Sequence, residues 1–491
     1  MASIPGSQFV ATAPPQPVHV VETSGGSLPP TVPGDFNLEV WTGPPGTAPT
    51  SPAPGYDGLA VLSDGGLEID LIAGAFAVTD HGTGNDTIRA DGDHETVAGG
   101  AANVTLVLNG DDDVANGGGQ DTITVFGNHD TVNGSGNDSI TVFGVLDVVN
   151  GGHGNDTIDV LNNYDTVNAG SGNDTVTVLG KGDRVDGGAG ADSITVLGDY
   201  DIVNGGHGND TIDVIGKGDL IAGGNGADSI NVIGDYDVVS GGHGSDTINV
   251  LGQGDDVSGG PGGDLINLSG NYDTVNGGPG NDTINVSGQG DTVDGGPGGD
   301  AINLAGNYDT VNGGPGHDTI DASGRGDLII GGPGGDAINL TGDYDMVRGG
   351  SGHDTISVFG RGDSINGGSG GDSITVFGNY DTVNPGTGHD TVNVSGVGNT
   401  ILAGMPGGGD AQVNLSGGFE TLDSGSGTYH DTITGFSQPA GDRIHLTTES
   451  AADAIAHSHQ VNGGHDTLIT LQDGSTILLK GISHINGGFF S

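Results

Sequence analysis

The chain has 491 residues, of which 104 are glycine, with 9 Lys or Arg against 64 Asp or Glu and a formal net charge of −55. Sparse apolar surface under so much like charge offsets chain entropy poorly, and the charge disfavours nucleic acid and anionic membranes while favouring a multivalent cation. There is no cysteine and no run of 18 apolar residues, which excludes disulfides, thiolate metal sites and a membrane-spanning helix.

Residues 1–55 are rich in Pro, Ser, Thr and Gly and read as a flexible arm. They lack the basic and apolar regions of a Sec signal peptide. Residues 56–80 are the most apolar part of the N-terminal region and suit short strands capping one end of a stack.

A repeat occupies residues 81–400. Its first copies are ragged: those near Asn116 and Asn133 are one residue short, and Gly99–Val104 has lost its aspartate. From Gly151 to Asn393 the period is a regular 18 residues in two halves. The first half reads G-G-x-G-x-D-x-(I/V)-x, and the second (V/L/A)-x-G-x-x-D-x-(V/I)-x. A fixed period of this length is the mark of a solenoid. After each aspartate, apolar and polar residues alternate as in a strand, with Ile158, Val160 and Val167 predicted to point inward. Glycine-rich turns separate the strands. Each 18-residue unit is therefore one coil of an all-β parallel solenoid. Coils stack about 4.8 Å apart, so the roughly 17 coils from Asp86 to Asp390 should run about 80 Å.

Stacking sets the first-half aspartates in a file: Asp86, Asp121, Asp138, Asp156, Asp174, Asp192, Asp210, Asp228, Asp246, Asp264, Asp282, Asp300, Asp318, Asp336, Asp354, Asp372 and Asp390. Bare carboxylates at that spacing repel. The glycine turns supply carbonyl oxygens, and carbonyls with carboxylates from successive coils make an all-oxygen cage suited to calcium. These aspartates are the predicted metal ligands, with multiple Ca2+ between successive turns.

"GGHGNDTID" and "GGPGNDTIN" resemble the calcium-binding nonapeptide of RTX (hemolysin-type) proteins. The resemblance implies a right-handed parallel β-roll. It also implies export in an unfolded state through type I machinery that reads a C-terminal signal. Residues 401–423 read as a degenerate repeat or linker, and residues 424–491 resemble the terminal domain of such proteins, serving as cap and secretion signal. "TLITLQDGSTILLKGI", Thr467 to Ile482, has the strand pattern to cover the last coil.

The second half departs from that pattern. It keeps an aspartate at Asp165, Asp183, Asp201 and onward to Asp381, but has no Gly-Gly pair. Two readings stand open for this edge: calcium, or aspartates accepting backbone N–H bonds within their own turns. A further period of 36 residues places Tyr164, Tyr200, Tyr236, Tyr272, Tyr308, Tyr344 and Tyr380 opposite glycines of the alternate coils. Each ring is expected to cover its neighbour's glycine. The other reading is an edge for self-association. Other motifs are absorbed by the repeat. "GGSGG" around Ser369 is its first five positions rather than a nucleophile elbow, and "HETVA" from His94 lacks the second His of a zinc protease.

The reading is an extracellular or cell-surface protein, non-enzymatic, with a structural, matrix or adhesive role. Its rivals are a secreted polysaccharide-active or other hydrolytic enzyme working on the roll surface, and a self-assembling layer or filament subunit.

Overall fold

The structure is a computed structural model that describes Asn85 and residues 87–101, 103–402, 409–425 and 429–491. It also describes the backbone of five earlier strands, Val18–Thr23, Phe36–Trp41, Gly58–Val61, Glu68–Ile72 and Ala77–Thr79. Asp86 and most of the stretch read as an arm lie outside the described residues. The chain divides into two compact units, Met1–Gly242 and His243–Ser491.

The first unit opens with a three-stranded parallel sheet in which Phe36–Trp41 pairs with both Val18–Thr23 and Gly58–Val61. Glu68–Ile72 and Ala77–Thr79 then pair in parallel with Thr87–Asp91 and Thr96–Ala98, which begins the solenoid. Every coil contributes one strand to each of two sheets. Ile158 lies beside Val176 and Val160 beside Val178 in one sheet, and Val167 beside Val185 in the other. Alternation drives this register, because a one-residue slip would turn every apolar side chain to solvent. The three residues predicted to face inward are at most 1% exposed. The short coils keep it too: Ile123 pairs with Ile140, 17 residues away, so the lost residue comes out of a turn.

Outward positions vary along the coils. The first unit carries an in-register row of Phe126, Phe143, Leu161 and Leu179 at the end of the first strand, with the two phenyl rings stacked at 4.8 Å. The second unit also has stacked phenyl rings in this row, Phe359 on Phe377 at 4.9 Å. It carries Ser269, Ser287, Ala305 and Ser323 in the earlier part of the row. Beside it runs an amide ladder, in which Asn267, Asn285 and Asn303 each donate from Nδ2 to the Oδ1 of the asparagine before, at 2.7–2.8 Å.

The second unit repeats the coil, with Ile284 beside Ile302 and Val275 beside Val293, and then changes direction. His430–Thr434 pairs in parallel with Thr476–Leu479, which pairs antiparallel with Asp466–Thr470 and through it with Ser458–Val461. The stretch from Thr467 thus lies on the edge of the last coil. A short helix, Ala451–Ala456, begins at Ser450, whose side chain accepts the Asp453 N–H. Phe436 stacks on Phe489 at 5.7 Å, tying the end of the chain to this region.

Candidate metal centre

On the first edge each aspartate is held between two coils. The Asp156 N–H donates to Asp174 Oδ1 at 2.8 Å, and the Asp174 N–H donates to Asp192 Oδ1 at 2.8 Å. The same link joins Asp264 to Asp282 and Asp282 to Asp300 in the second unit, at 2.8 and 2.9 Å. Asp210, Asp228, Asp246 and Asp390 stand in the same files with the same link. The carboxylates are buried, yet one oxygen of each is left over. No donor among the described residues reaches Oδ2 of Asp156, Asp174, Asp192, Asp210, Asp264, Asp282, Asp300, Asp318, Asp336, Asp354 or Asp372. That oxygen faces the space beside the first glycine of the turn. A Cβ on Gly151 would lie 2.6 Å from Asp156 Oδ2 and would also meet the carbonyl oxygen of Ala169 in the next coil. Glycine keeps this space open, and two acceptors line it.

Asp121 and Asp138 sit in the same file but are built differently. Gly118 and Gly119 donate their N–H groups to Asp121 Oδ2 at 2.6 and 3.1 Å, and Ser135 donates to Asp138 Oδ2 at 2.8 Å. In these short coils the turn folds back on its own carboxylate. Val104, where the copy has lost its aspartate, still donates its N–H to Asp121 Oδ1 at 2.7 Å.

The second edge carries an equally buried file. The Asp165 N–H donates to Asp183 Oδ1 at 2.8 Å, and the Asp291 N–H to Asp309 Oδ1 at 2.8 Å. The bond therefore comes from the adjacent coil, not from the aspartate's own turn. Oδ2 of Asp165, Asp183, Asp201, Asp273, Asp291, Asp309, Asp345 and Asp381, among others, meets no donor among the described residues. Glutamates stand toward the two ends of this edge, Glu95 in the first unit and Glu420 in the second, both buried. Burial, with repulsion from flanking aspartates and against the opposing N–H bond, pushes Asp165 and Asp201 up to about 7. On the first edge the same causes push Asp156 and Asp264 up to about 6.

A single left-handed residue turns the second edge in the regular coils. It is Tyr200 at φ 66° in one coil and Gly218 at φ 71° in the next, while the Tyr164 turn adds Asn162 at φ 109°. This tighter turn is why the half-repeat dispenses with the Gly-Gly pair. The first edge takes two such residues in the Asp156 turn, Gly152 and Gly154 at φ 97° and 120°, and one where proline follows, as at Gly278 at φ 100°. The tyrosine rings lie on the facing glycines, as expected: a Cβ on Gly182 would come within 2.7 Å of two Tyr164 ring carbons. Tyr344 is also flanked by Arg325 and Arg361, whose guanidinium carbons lie 5.0 and 5.7 Å from its ring centre. The left-handed tyrosines were not legible in the sequence, because an aromatic residue is rarely placed there. The signal available was their exchange with glycine every 18 residues.

Among the described residues no three carboxylate or imidazole side chains converge on one point. A cation here must be shared between carboxylates and backbone carbonyls, and an all-oxygen set of that kind fits calcium. The family model of the RTX calcium-binding nonapeptide repeat, in four copies, matches residues 82–106, 146–176, 179–212, 258–293, 269–302 and 305–338. The chain carries RTX calcium-binding repeats. The matches from residue 146 onward each include glycine turns of the first edge where spare Oδ2 atoms lie. Among curated proteins no sequence matches this RTX chain. Among solved structures it is similar to the extracellular lipase LipA from Serratia marcescens, at 18% identity and a TM-score of 0.19. That match covers 42% of this chain and 39% of the lipase, and carries no argument about fold or activity.

Proposed function

We propose that this protein is an extracellular, calcium-loaded β-roll with a structural, surface, matrix or adhesive role, which folds when calcium enters the first-edge turns. The observation that carries the reading is the file of buried carboxylates whose Oδ2 atoms meet no donor among the described residues. A buried charge without a partner is costly, so coils stacked in this way need a cation between them. The ligands are the Oδ2 atoms from Asp156 to Asp390 with the turn carbonyls. Asp121 and Asp138 hold their place by their own turns and contribute less.

The same coupling gives a route out of the cell. A chain of net charge −55 with few core residues stays open where calcium is scarce and closes where it is plentiful. Type I export machinery, reading residues 424–491, is the partner this implies. Circular dichroism above neutral pH, where the carboxyls are ionised, tests the folding claim: a largely unfolded spectrum in chelator and a strong β spectrum in millimolar calcium are expected, and a β spectrum in chelator at that pH would overturn it. Assays against polysaccharide, ester and peptide substrates test the non-enzymatic reading, and turnover of any of them would replace it.

A further inference from the structure

The second-edge turns hold pairs of acceptors that face each other. Gly288 stands where the Gly270 carbonyl of the preceding coil points, and Asp291 Oδ2 lies on the same side. A Cβ on Gly288 would run into Gly270 O and come within 2.7 Å of Asp291 Oδ2. Gly306 stands in the same way between Gly288 O and Asp309 Oδ2, and Gly342 between Gly324 O and Asp345 Oδ2. In the first unit Gly198 stands between Gly180 O and Asp201 Oδ2, and Gly216 between Gly198 O and Asp219 Oδ2. Each of these aspartates is at most 2% exposed, has its Oδ1 engaged by the preceding coil, and has an Oδ2 that meets no donor among the described residues.

One coil differs and shows what the pair lacks. Asn399 occupies the aspartate's place after Asp381. Its Oδ1 accepts the Asp381 N–H at 2.8 Å, as an aspartate's would. Its Nδ2 donates to Gly378 O at 3.1 Å, the carbonyl that points at Gly396. A donor in the place of Oδ2 therefore closes the pair. A carboxylate in that place leaves two oxygens needing a positive species between them.

We infer that the second edge is a second set of calcium sites, each joining a turn-glycine carbonyl of one coil to the aspartate of the next, and that Asn399 ends it. The sites run from Asp130 to Asp219 in the first unit and from Asp273 to Asp381 in the second. No Gly-Gly pair is needed, because one glycine per turn leaves the carbonyl room; in the Asp165 turn Asn162 stands at that place, and its carbonyl is the one set against Asp183. The inference rests on the calcium-loaded reading of the first edge, and the experiment separates the two.

The intact chain is compared with Asp309→Asn/Asp345→Asn on the second edge and Asp300→Asn/Asp336→Asn on the first. Bound calcium is measured by equilibrium dialysis with elemental analysis. Asparagine is used because the protein itself places it in this turn. The second-edge pair should lose about one ion per substitution while keeping its β spectrum in calcium, since each ion spans one interface between coils. Asn399→Asp should gain one. Terbium, replacing calcium, gives an independent reading, since seven of the nine tyrosines stand in second-edge turns. Its tyrosine-excited emission should fall in the second-edge pair and persist in the first-edge pair. If the second-edge pair keeps all its calcium while the first-edge pair loses ions, those carboxyls hold protons and this inference fails while the first-edge reading stands. If neither pair loses calcium, the first-edge reading fails. Should the second-edge pair not fold, Asn399→Asp decides alone: an unchanged ion count overturns the inference.

Discussion

The first and second edges of a coil are written in different residues and hold their aspartates in the same way. Asp282 takes the N–H of Asp264 at 2.8 Å on one edge, and Asp291 takes that of Asp273 at 3.0 Å on the other. Both leave Oδ2 bare beside a glycine whose missing side chain makes the room. The first edge reaches this with a longer turn that carries one left-handed glycine where proline follows it (Gly278) and two elsewhere (Gly206 and Gly208), the second with a shorter turn and a left-handed Tyr272 or Gly290. The stacked carboxylate beside a carbonyl is thus the shared element, and the Gly-Gly pair is one way of turning the chain around it. The short coils at Asp121 and Asp138 mark the boundary, since there the turn satisfies the carboxylate by itself.

The comparison is most easily broken at the glycines. Gly288→Val on the second edge drives a side chain into the Gly270 carbonyl, and Gly298→Val on the first drives one into the Gly280 carbonyl. Both should abolish calcium-induced folding of the coils around them, each costing more than about 3 kcal/mol. A protected backbone at either site in hydrogen exchange would show that the edge tolerates displacement and is no rigid cradle.

Substitution of single aspartates sharpens the contrast between regular and short coils. Asp282→Ala should lower the calcium stoichiometry and raise the calcium midpoint of folding. Asp138→Ala should leave the stoichiometry unchanged and cost about 1–2 kcal/mol for the N–H of Ser135 and its neighbours. Equal calcium loss in the two variants would erase the distinction between them.

Acid should act on both edges. Burial disfavours the charge and raises these carboxyls above the ordinary 3.8, to about 6 at Asp156 and Asp273 and about 7 at Asp165. In chelator the folded state therefore takes up protons as pH falls from about 7 towards 4, and its stability rises across that window. With calcium present, protons compete for the same oxygens and the affinity falls over the same range. A chelated protein that gains no β structure between pH 7 and 4.5 would count against the buried carboxylate files.

The smallest effect is expected at the tyrosines. Tyr308→Gly removes a ring lying on Gly326 but also a non-glycine residue at φ 63°. The two changes oppose each other, so the melting temperature in calcium should move by only a few degrees. A collapse of the fold would make the ring a structural necessity.

Much of this architecture was legible in the sequence. Ile158, Val160 and Val167 announce their inward direction by alternation, and the 18-residue period requires stacked coils. The first-edge aspartates were legible because their motif carries the turn glycines with it. The second edge was harder to read, because its acceptors come from different coils and only the fold sets the Gly270 carbonyl against Asp291. Asn399 looks like one more polar residue until its amide is seen to point at Gly378 O. The self-satisfied turns of Asp121 and Asp138 follow from a missing residue, whose effect on hydrogen bonding depends on where the turn absorbs it. The tail defied periodicity because Thr476–Leu479 joins the last coil out of chain order, after a helix and two other strands.

The links between coils, finally, join only nearest neighbours. Within either unit an aspartate bonds to the coil 18 residues on, and the strands do the same. Under tension such a stack opens at one interface at a time, and each opened coil releases a length far larger than the one it occupied: about 60 Å of drawn-out chain for about 4.8 Å of stack, a roughly twelvefold gain.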